Sequence, residues 1–207
     1  MNFKLLGEDT SLSFPLPLYM SVAIAEAKSE SMTFSIFAGF DETIIAQLKE
    51  HSLDKSDEEI QKNTSDRKRF GEGSYEKWYA KNRTPFALVD KAGILAAVVW
   101  FGPKPLGRKS MSFLTKEEQA QDERSLDSGD WHTLSYRSYM PYRGKGLMKD
   151  FVSYVTEIYL KNFPGAKLWG IVDGANASSV ALAEKLGYEL DEDASDYTMN
   201  KLVMIKK

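Results

Sequence analysis

Between Tyr136 and Phe163 the chain reads YRSYMPYRGKGLMKDFVSYVTEIYLKNF, and its period changes within that stretch. Tyr136 to Met140 is β-prone, Pro141 to Gly146 is turn chemistry, and Leu147, Phe151, Val155 and Ile158 then recur at steps of four, four and three. That spacing lays one apolar stripe along a helix, which therefore has a core to face. At the first turn of such a helix the backbone N–H groups are unpaired and the positive end of the dipole points outward. Gly144 and Gly146 let a ligand approach the main chain with no Cβ in the way. The stretch thus predicts a strand, an anion-binding turn and a helix, and Arg143 and Lys145 flank Gly144 with cationic charge suited to a pyrophosphate. A glycine turn that merely joins strand to helix is the plainer reading of the same residues.

The common nucleotide loops do not fit. A Walker loop needs GxxxxGK followed by Ser or Thr, and a dinucleotide fingerprint needs a third glycine where Leu147, Met148 and Lys149 stand. Net charge is −3, from 27 basic and 30 acidic residues, so no overall positive field favours nucleic acid or an anionic membrane as a partner. Cysteine is absent, which removes disulfides, thiolate metal sites and a thiol nucleophile. With His51 and His132 as its two histidines the chain is not expected to hold a metal. Phe14 to Ala25 is apolar but broken by Pro15 and Pro17 and preceded by Glu8 and Asp9, which fits a segment packed on the domain better than a signal peptide. A soluble, cytoplasmic protein, monomeric or homodimeric, is the expectation.

The rest of the chain orders itself around the opening stretch. Residues 1–31 read as an N-terminal extension packed on the core, with a short strand at Phe3 to Leu6, and residues 32–207 read as the main domain. Met32 to Phe37 is β-prone, and Asp41 caps a helix through Glu50. Residues 53–82 suggest two helical pieces interrupted at Gly71-Glu72-Gly73, with Tyr75, Trp78 and Tyr79 on a core face. Phe86 to Phe101 is a hairpin turning at Asp90 to Gly93. Residues 102–130 form a polar loop with a short helix within Thr115 to Arg124, either an insertion or a cover over a site. Trp131 to Met140 is the strand feeding the turn, and Lys167 to Asp173 is the next strand, parallel to it. A helix from Ser178 to Leu186 and a closing pair at Tyr188 to Leu190 and Tyr197 to Ile205 complete an α+β, or mixed α/β, arrangement.

In that context Arg143-Gly144-Lys145-Gly146-Leu147-Met148 resembles motif A of the GNAT superfamily of acyl-CoA-dependent N-acetyltransferases. It matches at Arg143 and Gly146, whereas Met148 stands where that family prefers a small residue. Asn176 through Lys185-Leu186-Gly187-Tyr188 is similar to motif B, an asparagine, a helix, then Lys-x-Gly-aromatic. The resemblance covers roughly residues 32 to 205. It implies a mostly antiparallel sheet with one central parallel strand pair flanked by helices.

It further implies acetyl transfer from acetyl-CoA to a small-molecule or protein amine by direct attack in a ternary complex. Main-chain groups of Ser138, Tyr139 and Met140 would hold the pantetheine arm and polarise the thioester, and amides of Arg143 to Met148, Leu147 included, would hold the pyrophosphate. Asn176 and Ser179 would contact the arm from the other side, unless Asn176 is a plain helix cap. His132 is a candidate base, against a structural role beside Trp131, and Asp130 is the alternative. Ala183 stands where many GNAT members carry the tyrosine acid, leaving Tyr188, Tyr139 or Tyr142 to replace it. Asp191, Glu192, Asp193 and Asp196 would attract a cationic amine or form a solvated turn. Two further readings are a catalytically silent acyl-CoA-binding module and an unrelated phosphate-binding α/β domain.

Overall fold

The computed structural model describes residues 1–6, 12–29, 32–108 and 128–206. The helix expected within Thr115 to Arg124 lies outside the described residues, as do Glu8 and Asp9. Among the described residues one sheet contains β1 (Asn2–Leu5), β2 (Val22–Ser29), β3 (Met32–Ala38), β4 (Thr84–Asp90) and β5 (Leu95–Pro103). It continues with β6 (Trp131–Ser138), β7 (Lys167–Asp173), β8 (Glu189–Asp196) and β9 (Lys201–Lys206). The spatial order is β1-β2-β3-β4-β5-β6-β7-β9-β8, antiparallel throughout except for the parallel neighbours β6 and β7. The sheet is therefore mixed and mostly antiparallel, as the sequence predicts.

Both faces are covered, which is why β4 and β5 read as continuous apolar runs rather than alternating ones. On one face α4 (Leu147–Asn162) and α5 (Ala177–Lys185) pack over Phe86, Phe101, Leu134 and Leu168. The predicted stripe of α4 supplies Leu147, Phe151 and Val155, all buried, with Ile158 half-buried beside them. On the other face α1 (Glu42–Leu53), α2 (Glu58–Asn63) and α3 (Tyr75–Tyr79) cover Ala87, Val98 and Trp100. Phe14 and Leu16 are buried in the first of these cores.

Local chemistry sets the ends of these helices. Asp41 Oδ1 accepts the Ile44 amide at 2.9 Å to start α1, and Ser21 Oγ donates to its other oxygen at 2.6 Å. Between α2 and α3 a π-helical turn, Arg67–Gly71, precedes the break expected at Gly71 to Gly73. A Cβ on Gly73 would lie 2.5 Å from the carbonyl oxygens of Lys68 and Arg69, so the break needs glycine there. The closing pair differs from expectation: β8 runs through the acidic stretch to Asp196, and β9 begins only at Lys201. Asp196 accepts the Met199 amide at 3.1 Å and caps a short turn, Tyr197–Met199, that takes up residues expected in the strand.

The segment between α2 and α3 is fastened to β6 by charge. Asp66 is 1% exposed and takes Arg137 Nε at 2.5 Å, Arg137 Nη2 at 3.1 Å and Arg69 Nη1 at 2.6 Å. Arg137 also lies 4.9 Å from the centre of the Trp100 ring. Removing the carboxylate leaves two guanidinium groups without their common partner, which costs more than the net worth of the pair. Asp66→Asn is expected to lower stability by about 3–5 kcal/mol. A urea titration checks this; a midpoint that does not move would show that the triad holds nothing together.

Candidate functional site

β6 and β7 are parallel partners over only three residue pairs, Trp131 with Lys167, His132 with Leu168 and Thr133 with Trp169. Beyond Thr133, β6 pairs with β5 alone, and beyond Trp169, β7 pairs with β9 alone. The two strands diverge, and the gap opens into a cleft of about 870 Å³. Which main-chain groups face that gap follows from the alternation of hydrogen bonding along each strand. The Tyr139 amide bonds the Ala96 carbonyl at 2.9 Å, so Tyr139, Arg137 and Ser135 direct their backbone to β5. Tyr136 and Ser138 then direct theirs into the gap. On β7 the Gly174 amide bonds Asn200 at 2.9 Å, so the residues turned toward the gap are Ile171 and Asp173. This corrects the expectation for Tyr139, whose amide is already spent on the sheet, and adds Tyr136, which the sequence reading did not name.

Two carbonyls at the gap are already engaged. Arg137 Nη1 donates to the Tyr136 carbonyl at 2.7 Å, and Arg143 Nη2 donates to that of Ser138 at 3.0 Å. The amides of Tyr136 and Ser138 remain as donors along the edge of β6. Met140, 62% exposed, does not line the cleft, contrary to expectation.

The turn after β6 is tightly closed, and one of the two cations expected at it is turned elsewhere. The Tyr142 and Arg143 amides bond back to the Tyr139 carbonyl at 2.8 and 3.0 Å, closing a tight turn. Gly144 and Gly146 both adopt positive φ, 79° and 73°, and a Cβ on either would meet nothing within 4 Å. Their glycine character therefore serves backbone conformation, and Gly146 in the left-handed region is the N-cap of α4. The amides of Gly146, Leu147 and Met148 lead into the first turn of that helix, where no preceding carbonyl exists to receive them. The Arg143 guanidinium is not aimed at this cradle. It grips Asp57 with both terminal nitrogens at 2.9 and 2.6 Å and approaches Glu59 at 3.3 Å. Lys145, the other cation expected here, lines the opening with Lys149 and Lys185.

The second wall comes from α5. Asn176 Oδ1 accepts the Ser179 amide at 3.1 Å and Ser178 Oγ at 2.9 Å, so its oxygen serves as the helix cap while the residue lines the cleft. Ser179 lines it too, and its carbonyl accepts from the Tyr136 hydroxyl at 3.2 Å across the gap. Tyr188 also lines the cleft, 4% exposed, and its hydroxyl is buried with no partner among the described residues. Burial pushes this phenol up, so it keeps its proton at neutral pH and can donate it.

The other two catalytic candidates lie elsewhere. Tyr139 sits in the core beneath α1, its ring stacked on His51 at 4.1 Å, and burial raises its pKa. His132 Nδ1 is 2.5 Å from the Tyr159 hydroxyl and its ring packs against Phe163, at the far end of α4. Burial lowers its pKa despite the neighbouring Asp130. Neither side chain lines the cleft. Tyr142 does line it, but its hydroxyl donates to Asp90.

The cleft passes through the sheet and reaches the α1 to α3 side, where Lys104 and Arg69 line it with Thr133, Ser135 and Trp169. Lys104 Nζ stands 5.1 Å from the centre of the Trp169 ring, and its carbonyl accepts the Trp169 indole N–H at 3.0 Å. Burial, and then the charges of Arg83 and Arg69, push its ammonium down from 10.5 to about 7. Nothing in the polar run around Pro103 and Pro105 marks this lysine in the sequence.

No family model matches this sequence, and no curated protein matches it either. Solved structures do resemble the fold. The GNAT domain of S. lividans PAT superposes with a TM-score of 0.58 at 14% identity, over 87% of this chain and 96% of that one. An acetyltransferase from Agrobacterium tumefaciens str. C58 gives 0.55 at 12% identity, over 97% and 99%. The ribosomal-protein-S5-alanine acetyltransferase from Vibrio fischeri gives 0.54 at 13% identity, over 87% and 95%. The chain has the GNAT fold.

The Lys104 shift has a sign that can be measured. Between pH 7 and 10 the unfolded chain holds this proton and the folded protein releases it, so stability rises with pH across that window. Below pH 7 both states are protonated and the cost of the buried charge is present in full. Lys104→Met is therefore expected to exceed the parent in stability most below pH 7, with the difference shrinking toward pH 10. Urea midpoints across that range check it, and a pH-independent difference would contradict the burial of the ammonium.

Proposed function

We propose that this protein is an N-acetyltransferase, moving an acetyl group from acetyl-CoA to an amine within a ternary complex. The observation that carries the reading is the gap between β6 and β7, with donor amides along one edge and a glycine-built anion cradle at its wide end. Both features fit the donor. A pyrophosphate suits the amides of Gly144 to Met148, where no Cβ intrudes and Lys145 and Lys149 are near. An amide-bearing pantetheine arm suits an unpaired strand edge, which it would extend as an added strand does. The neighbouring structures in this fold are described as acetyltransferases, which supports the same chemistry.

The donor brings an activated acetyl thioester; the rest falls to the chain. The amides of Tyr136 and Ser138 orient the arm, and one of them polarises the thioester carbonyl, where developing negative charge is worth most in a site shielded from water. As the new C–N bond forms and the C–S bond breaks, the departing sulfur needs a proton. Tyr188 holds one in the cleft wall, near the position where Ala183 leaves the usual tyrosine missing. Ala183 is itself buried at 5% exposure, so the loss of a phenol there is not made up by water-exposed space. The acceptor ammonium gives one proton to water before attack and the nitrogen gives a second as the amide forms, since His132 is held in the packing around Tyr159 and Phe163.

Tyr188→Phe is expected to slow thiol release from acetyl-CoA by about tenfold or more in the presence of an amine panel. Tyr139→Phe is expected to leave the rate unchanged, since that hydroxyl sits on the opposite face of the sheet. Equal rates for Tyr188→Phe and the parent would remove Tyr188 from the mechanism. Calorimetry with acetyl-CoA tests the reading beneath it: absence of binding by the folded protein sinks the assignment, and binding without turnover by any amine favours a silent acyl-CoA-binding module.

A further inference from the structure

Among the described residues, cations outnumber acids on the α1 to α3 side of the cleft. Lys104 and Arg69 line it, and Arg83 lies against the backbone of Gly102, where a Cβ would come 2.8 Å from Arg83 Nη1. Gly102 pairs directly with Thr133, a residue of the cleft wall at the point where β6 and β7 part. Arg69 has Asp66 as partner, but Asp66 is shared with Arg137, so one carboxylate serves two guanidinium groups. Arg83 Nε and Nη1 are buried with no hydrogen-bond partner among the described residues. Among the described residues the influences on Lys104 are burial and then further cations, Arg83 and Arg69 first among them. Buried charge and unpaired buried donors are costly, and a structure that retains them next to a cleft holds free energy that an anion would release.

The acidic stretch does not supply that anion. None of Asp191, Glu192, Asp193 and Asp196 lines the cleft; Asp191 Oδ1 accepts the Ala194 amide at 2.9 Å, and Asp196 caps its turn. Of the acids that do line it, Glu59 faces Arg143 and Asp173 is held by Lys201 at 2.6 Å. The expectation of a cationic amine drawn by this cluster finds no support in the placement of its side chains.

We propose that the acceptor amine carries an anionic group, a carboxylate or a phosphate, received by Lys104 on the α1 to α3 side of the sheet, with the charge of Arg83 behind it. This rests on the acetyl-transfer reading. The two sides of the cleft then divide the work: the α4 and α5 side takes the donor, and the acceptor enters opposite with its anion against Lys104 and its amine directed through the gap. Trp169, whose ring lies beneath the Lys104 ammonium, walls the passage between them.

The test uses the full chain with saturating acetyl-CoA and matched acceptors: β-alanine against β-alaninamide, phosphoethanolamine against ethanolamine, and spermidine as a cation. The anionic member of a pair is expected to show a kcat/KM about tenfold higher or more, as one added charge contact of about 1.4 kcal/mol would give. The two pairs tell carboxylate from phosphate. Lys104→Met is expected to abolish the preference by raising KM for the anionic member with kcat retained. A preference for the neutral members or spermidine overturns the proposal, as does a Lys104→Met variant that loses kcat equally with every amine, which would make Lys104 a proton-transfer group. A second measurement does not depend on turnover. In the coenzyme A complex, β-alanine or phosphoethanolamine is expected to raise the Lys104 pKa, read by NMR of isotopically labelled lysine, and ethanolamine is not; no rise with either anion also overturns it. If acetyl-CoA binds and these tests fail, the acceptor inference alone falls. If acetyl-CoA does not bind, the acetyl-transfer reading falls first and takes this one with it.

Discussion

Three rungs of parallel pairing, from Trp131 with Lys167 to Thr133 with Trp169, hold together a sheet that is otherwise antiparallel. Fewer rungs would let the two halves separate, and more would close the gap that forms the site. The divergence is possible because each strand has a full antiparallel partner on its outer side, β5 for β6 and β9 for β7. Neither strand therefore depends on the other for its backbone hydrogen bonds along the open stretch. The unpaired inner edges would be costly in a closed core, but they line a cleft of about 870 Å³ that a ligand or water can fill.

Opening a sheet at its centre weakens it unless something spans the weakness from outside. Here the segment between α1 and α3 ties down the β6 side of the opening. Asp66 joins β6 through Arg137, and Asp57, at the start of α2, joins the turn after β6 through Arg143. These residues belong to the most polar part of the chain, and their charges are structural rather than solvated. On the other face α4 bridges the same gap with Phe151 and Val155, both fully buried. The α1 to α3 face adds ion pairs to its apolar core, and the α4 face is held by apolar contact.

The fold was legible in the sequence where one element imposed its own period. The run from Tyr136 to Phe163 announced strand, turn and helix because Leu147, Phe151 and Val155 recur at helical spacing and β6 precedes them. β8 was only partly legible, since ELDEDASD has no strand character of its own and is held by its partner β9. The site was legible in position but not in phase. Sequence pointed to the end of β6, yet which alternate residues turn their amides to the gap depends on the register with β5, and that keeps Ser138, drops Tyr139 and adds Tyr136. Arg143 looked like a phosphate ligand because its partner Asp57 lies 86 residues away. Lys104 was invisible for the same reason, its character being set by Arg83, Arg69 and Trp169 rather than by its neighbours in sequence.

The Arg143 arrangement bears on how the turn meets a ligand. With Asp57 on one side of the guanidinium and the Ser138 carbonyl on the other, the segment from Ser138 to Arg143 is closed on itself and tied to α2. A flexible glycine loop would have to be ordered at the moment of binding, at a cost of roughly 1–2 kcal/mol per residue. A loop already ordered loses little further freedom, so more of the intrinsic affinity of its amides appears as observed affinity. On the acetyl-transfer reading proposed above, Arg143 thereby strengthens binding by ordering the loop through Asp57.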